Sequence, residues 1–183
     1  MLLAGAFMLP ACSSTDGAVA KVQEDLYLLQ TTESAGNQLS GVRNLVSKES
    51  GKDIDIFLDN IRSFDYEIVS SVKRDDGDDH YTVVTVRIRT YDFGSEYLSA
   101  WKDYLDSCDA AGKDPDEDMD SFYDGLFRRL AEVKGKTYIC DVGIVAIDPV
   151  DNGEWITNIS SNEELQDALF GGMISEMKSL AEE

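Results

Sequence analysis

The sequence predicts an α+β fold: a curved antiparallel β-sheet of about four strands packed on N-terminal helices, with a helical insert and a C-terminal helix. Three observations carry this expectation. Apolar residues recur with a helical period near both ends of the chain and again in its middle. Between those stretches, over 64–91 and 136–160, the period drops to two. Each period-two stretch contains turn chemistry, Asp75-Asp76-Gly77-Asp78-Asp79 in the first and Asp151-Asn152-Gly153 in the second. Helices, hairpin, helices, hairpin, helix is an order that places helices on one face of an antiparallel sheet.

The elements follow in turn. Val19, Val22, Leu26 and Leu29 share the face of a first helix. Ala35, Leu39, Val42 and Val46 mark a second, separated from the first by Gly36 and Asn37. Asp53 is placed to cap a third, with Ile54, Phe57, Leu58 and Ile61 on one face. Phe64–Arg74 reads as a strand with Tyr66, Ile68, Ser70 and Val72 on one side. Tyr81–Tyr91 returns beside it, with Thr82, Val84, Val86 and Ile88 on one face and Tyr81, Val83, Thr85, Arg87 and Arg89 on the other.

The insert, about residues 95–133, reads as two helices. One carries Tyr97, Trp101, Leu105 and Cys108 on a stripe. The other opens on Asp114 as cap and Pro115 at the first helical position, with Met119, Phe122, Leu126, Leu130 and Val133 on its stripe. Gly135 ends it. A third strand runs from about Lys136 to Ile147 with Tyr138, Cys140, Val142 and Ile144 on one face, and a short fourth covers Glu154–Ser160. Ser161 and Glu164 form a capping-box pattern ahead of Leu165, Leu169, Met173, Met177 and Leu180. Gly171 and Gly172 lie inside that last helical stretch, where glycine costs about 0.5–1 kcal/mol relative to alanine. They imply a break or a close approach to another backbone.

The apolar run Leu2–Leu9 is shorter than the roughly 20 residues that a membrane span takes. It fits the apolar region of a cleavable signal, although no Lys or Arg precedes Cys12. Leu9-Pro10-Ala11-Cys12, followed by Ser13-Ser14-Thr15-Asp16, resembles a bacterial lipobox. That resemblance implies a signal peptide over residues 1–11, lipid attachment at Cys12, and a lipidated tether over 12–18. A single domain over 19–183 follows. It also implies a location at the extracytoplasmic face of the bacterial cell membrane, with the membrane as a partner through the lipid. The competing reading is an N-terminal helix ending in an ordinary thiol. Eight apolar residues and a polar Ser-Ser-Thr-Asp run are poor material for one.

Sixteen basic residues stand against 36 acidic ones, a formal charge of −20. Such a surface repels nucleic-acid phosphate and anionic lipid alike, so no nucleic-acid partner is expected. Beyond Cys12 the chain has Cys108 and Cys140, which fit either a disulfide or two separate buried thiols. No sequence motif calls for a cofactor.

Three segments give a wider resemblance: Tyr81-Thr82-Val83-Val84-Thr85-Val86-Arg87-Ile88 after an acidic turn, Asp151-Asn152-Gly153-Glu154-Trp155-Ile156, and Leu165-Gln166-Asp167-Ala168-Leu169-Phe170-Gly171-Gly172. In these the chain resembles the NTF2-like (cystatin-like) lipoproteins of Gram-positive bacteria over most of residues 19–183. The long helical insert and the final helix depart from a minimal member of that family. The resemblance implies a curved sheet partly wrapped around helices. Some relatives hold a ligand, or an isomerase or dehydratase site, in the resulting cone; many lipoprotein relatives have no known activity.

Candidate chemistry is sparse. His80 is the single histidine and sits at the mouth of the Asp-rich turn, a place for a solvated side chain more than for a general base. Asp114, Asp116, Asp118 and Asp120 alternate like early calcium-loop ligands. The sixth position lacks glycine, however, and the twelfth is Gly125 where a closing glutamate is needed. The Asp75–Asp79 turn likewise lacks a closing ligand, so no metal residue is named. Tyr81, Thr85, Arg87 and Arg89 share one strand face and would offer an anionic ligand two guanidinium groups if that face looked into a cavity. The opposite face, with Val84, Val86 and Ile88, is the better core face, which argues for the arginines pointing outward. Trp101 and Trp155 sit on apolar periodic positions as core residues.

The expectation is therefore a lipid-anchored, non-catalytic module that binds an unknown small molecule or protein. One alternative is an isomerase- or dehydratase-type enzyme, which would need an Asp or Glu on the inward sheet face near a Tyr or His. Another is a calcium-dependent adhesion module.

Overall fold

Alternating β-branched residues make Asp79–Thr90 the strand on which the sheet is built. In the computed structural model, which describes residues 15–31, 51–76, 79–117, 119–148 and 154–182, this strand pairs on both sides. Strands β1 (Asp65–Asp76), β2 (Asp79–Thr90), β3 (Tyr138–Ile147) and β4 (Ile156–Thr157) form one antiparallel sheet in the order β1-β2-β3-β4. Among the described residues six α-helices accompany it: α1 (Asp16–Thr31), α2 (Gly51–Arg62), α3 (Phe93–Ala111), α4 (Met119–Glu132), α5 (Glu163–Leu169) and α6 (Met173–Ala181). The fold is α+β, as expected.

One sheet face is dry. Thr82, Val84, Val86, Ile88 and Thr90 of β2 are all buried, with Val142, Ile144 and Ala146 of β3 beside them. Ala18, Val22 and Leu26 of α1 and Leu165 and Ala168 of α5 close over this face. A second apolar cluster lies beside the first. There Ile54, Phe57, Leu58 and Ile61 of α2 meet Phe93 of α3, Phe122, Leu126, Phe127 and Leu130 of α4, and Met173 of α6. Phe57 stands edge-on to Phe93 and Phe127, with ring centroids 4.9 and 5.8 Å apart. The α2 apolar face is the one read from sequence.

Several local expectations change. Helix α1 begins at Asp16, and Ala18 is fully buried, so the folded part reaches back into the stretch read as tether. Strand β1 carries a bulge between Ile68 and Ser70. Tyr66 and Ile68 therefore point inward with Ile88 and Val86, while Ser70 and Val72 join Thr85 and Val83 on the opposite face. Periodicity put all four on one side. The fourth strand has shrunk to Ile156–Thr157 because asparagines take over the remaining edge of β3. Asn158 Oδ1 accepts from Val145 N at 2.9 Å, and Asn162 Nδ2 donates to Gly143 O at 2.9 Å. Asn162, and not Ser161, caps α5, its Oδ1 accepting from Leu165 N at 2.9 Å. Pro115–Glu117 forms a short 3-10 turn, held by Asp116 N donating to Asp114 Oδ1, and α4 starts only at Met119. The lipobox, the helix expected near Ala35–Val46, and the Asp151–Gly153 turn lie outside the described residues.

Gly171 and Gly172 do both things their cost implied. They separate α5 from α6, at φ +56° and +81°. They also let two backbones touch: Gly94 N donates to Gly171 O at 3.0 Å, and a Cβ on Gly171 would stand 1.9 Å from Tyr91 O. Gly171→Ala is expected to destabilise the fold by at least about 2 kcal/mol, from the left-handed conformation and the overlap together. The midpoint of urea unfolding measures it; a midpoint within error of the parent would contradict the tight approach.

Candidate functional site

A sheet with helices on one face offers two places for chemistry, the covered face and the open one. The covered face is lined by buried side chains and, among the described residues, closed by α1 and α5. Along β2 and β3 its residues are His80, Thr82, Val84, Val86, Ile88, Thr90, Tyr138, Cys140, Val142, Ile144 and Ala146; the carboxylate on this side, Asp75 of β1 opposite His80, lies with it at the solvent-exposed hairpin end and outside the buried cluster. Thr90, opposite Tyr138 in register, is fully buried and its Oγ1 has no hydrogen-bond partner among the described residues. Tyr138 and Asp141 fall on opposite faces, as their spacing requires.

Polar groups do gather at one end of the covered face. The Tyr138 ring lies against Gly172, where a Cβ would meet it at 3.0 Å. Burial, with the nearby Cys140 and Asp167, pushes the Tyr138 hydroxyl up to about 12. Burial also pushes the Cys140 thiol up, against the lowering effect of its hydrogen bond with Tyr138. A thiol held protonated is a poor nucleophile. Cys108 and Cys140 are both free, one buried on α3 and the other half-buried on β3, so the bridge left open by the sequence is not formed. Asp167 is occupied elsewhere: its carboxylate accepts from Ser175 N at 2.9 Å and Ser175 Oγ at 2.6 Å.

The open face holds all four residues singled out as a ligand set. Tyr81, Thr85, Arg87 and Arg89 point away from the helices. They line neither of two cavities formed by the described residues. Pairing in register sets their neighbours in rows across β1, β2 and β3: Arg74–Tyr81–Ile147, Val72–Val83–Val145, Ser70–Thr85–Gly143, Glu67–Arg87–Asp141 and Asp65–Arg89–Ile139. Ile156 of β4 extends the first row. Arg87 and Asp141 form a two-pronged pair, Nε to Oδ1 at 2.7 Å and Nη2 to Oδ2 at 2.8 Å. That hydrogen bonding holds the Asp141 carboxyl below the usual carboxylate range and raises the guanidinium further. Both side chains remain over 40% exposed, at 42% and 43%, so the pair shapes the surface more than it stabilises the fold.

Sequence reasoning found Arg87 but not its partner, because pairing depends on a register that no local pattern reveals. The apolar row was missed for the same reason, compounded by the bulge. His80 lies on the hairpin, half-exposed, with Nδ1 2.7 Å from Asp75 Oδ1. Among the described residues no group of three or more His, Cys, Asp or Glu is arranged around a metal position, and no helix is long and apolar enough to cross a membrane. Compared with protein-family models, with curated proteins and with solved structures, the chain matches none.

The raised Tyr138 pKa makes an alkaline prediction. The unfolded chain releases this proton near pH 10, the folded one near 12. The stability that the neutral hydroxyl contributes is complete below pH 10 and is lost as pH rises toward 12. In urea titrations across that range, Tyr138→Phe is expected to lose stability less steeply than the parent; equal slopes would count against the buried hydroxyl.

Proposed function

We propose that this chain is a lipid-anchored, extracytoplasmic, non-catalytic module of the NTF2-like (cystatin-like) kind, and that it binds a protein through the open face of its sheet. One observation carries the reading: among the described residues, the face expected to hold a ligand cavity is closed over by buried apolar side chains of α1 and α5, and no helix lies on the other face. Val72, Ile147, Ile156 and Ile139 are 43%, 52%, 65% and 52% exposed there. A flat array of apolar and paired charged rows suits a protein surface better than a small molecule, which needs concavity.

Charge supports the same choice. Arg74, Arg87 and Arg89 offset Asp65, Glu67 and Asp141 on this face. These five rows sum to zero in a chain of net charge −20, with Asp76 and Asp79 only in the next row at the hairpin end, so a protein partner can approach them with little of the repulsion that the rest of the surface exerts. The enzyme alternative needs a carboxylate beside Tyr or His within a cavity under the sheet; the pair of that kind on this side, Asp75 with His80, stands exposed at the hairpin end, away from the buried cluster. The lipobox residues support the address and Cys12 as the site of the lipid.

Two measurements test this. Mass spectrometry after expression in a lipoprotein-competent bacterium is expected to find Cys12 as a lipid-modified N-terminus; an unmodified Cys12 overturns the anchor. A photo-crosslinking residue at position 83 is expected to give a discrete protein adduct that Val72→Glu abolishes, and one at position 102 on α3 to give none. Equal adducts from both positions, or none from position 83, overturn the sheet-face reading.

A further inference from the structure

The helical half of the molecule has an opening of its own. A cavity of about 200 Å³ lies between α3 and α4. Its floor is Ala100 of α3 with Phe122, Gly125 and Leu126 of α4. Three of these are buried apolar residues, and Trp101 braces Phe122 edge-on at 5.1 Å. The opening exists because position 125 has no side chain. Glycine destabilises a helix interior relative to alanine, and packing does not call for it here, since a Cβ on Gly125 would meet nothing within 4 Å.

The rim is charged, and its charges are unequally engaged. Arg129 is fully committed: Nε donates to Glu96 at 2.5 Å, Nη1 to Asp103 at 2.7 Å and Nη2 to Ser99 Oγ at 2.9 Å. That cluster ties α4 to α3 and, with two carboxylates on one guanidinium, leaves no positive charge of Arg129 to offer a ligand. Arg128 also lines the cavity, is exposed, and has no hydrogen bond or ion pair with any described residue. It sits three residues after Gly125, on the same helical face. An apolar floor beside one uncommitted guanidinium is locally complementary to an apolar body that carries one negative charge, against the general repulsion of an acidic chain.

We propose that the α3–α4 groove is a binding site for a small amphipathic anion: an aromatic or branched apolar body of up to fused-ring size over Gly125, with its acidic group on Arg128. This goes beyond the sheet-face reading and is independent of it, because it concerns a different layer and a different ligand class.

The test uses the full chain with 2-naphthoate as probe and 2-naphthamide as its uncharged twin, titrated by ligand-observed NMR. Saturable binding of naphthoate is expected, with naphthamide about fivefold weaker. Arg128→Gln is expected to bring naphthoate down to the affinity of naphthamide. Gly125→Leu is expected to abolish binding of both by filling the groove. Gly125→Ala, which the open space accommodates, is expected to melt at a higher temperature and bind both probes more weakly; it carries the filling arm if the leucine variant folds poorly. Absence of saturable binding, unchanged binding in the folded Gly125 variants, or Arg128→Gln without effect on naphthoate would each overturn the proposal.

Discussion

Two apolar clusters have to be held together for this molecule to be one body, and the joint is a contact between main chains. Tyr91, Phe93 and Gly94 carry the chain from β2 into α3, and there they meet the turn Phe170–Gly172 between α5 and α6. Gly94 N bonds to Gly171 O, and Gly171 nests under Tyr91 O at a distance that no side chain permits. Leu169, just ahead of the turn, packs against both clusters. A backbone joint is stiff because it has no rotamers to exchange. It fixes the angle at which the helical layer leaves the sheet, and with it the position of every residue on α3. The Tyr138 ring against Gly172 completes the joint from the β3 side.

The acidity of the chain is distributed with a purpose that the joint makes visible. Helices α3 and α4 face solvent with many carboxylates, and Arg129 is spent on pairing with two of them. The open sheet face instead alternates guanidinium and carboxylate groups along its rows. Like charges are thus kept on curved helical surfaces, where solvent separates them, and the flat surface is left electrostatically quiet. Lys73, Arg74 and the bulge serve a second end on β1, an edge strand, by discouraging uncontrolled strand addition.

Most of the elements could be read from the sequence, since they depend on local periodicity. The inward face of β2, the α2 stripe and the apolar spine of α1 are stated by residue spacing alone. The features that escaped are those settled at a distance. The β1 bulge leaves no mark in its apolar pattern, because Ser70 and Val72 suit either face. Ser161 and Glu164 formed a good capping pattern, yet Asn162 prevails because its amide also reaches Gly143 O across the sheet. Asp114 and Pro115 announced a helix, but their own Asx bond closes a tighter turn first. The open face was legible as a set of residues and illegible as a surface: Arg87 was visible, and its fork to Asp141 was not. The α3–α4 groove left a single trace, a glycine with no stated reason in an amphipathic helix.

The bulge in β1 divides that strand into halves with different obligations. Tyr66 and Ile68, before it, are packed against the sheet core. After it, Ser70 and Val72 turn to the outside, and Ser71 and Lys73 on the inward side stay clear of the buried clusters. Among the described residues the distal half of β1 is therefore held mainly by its ladder to β2. Its exposed side chains, Val72, Lys73 and Arg74 among them, can be exchanged without removing any member of the two apolar clusters, so this half of the strand tolerates sequence change that the half before the bulge does not.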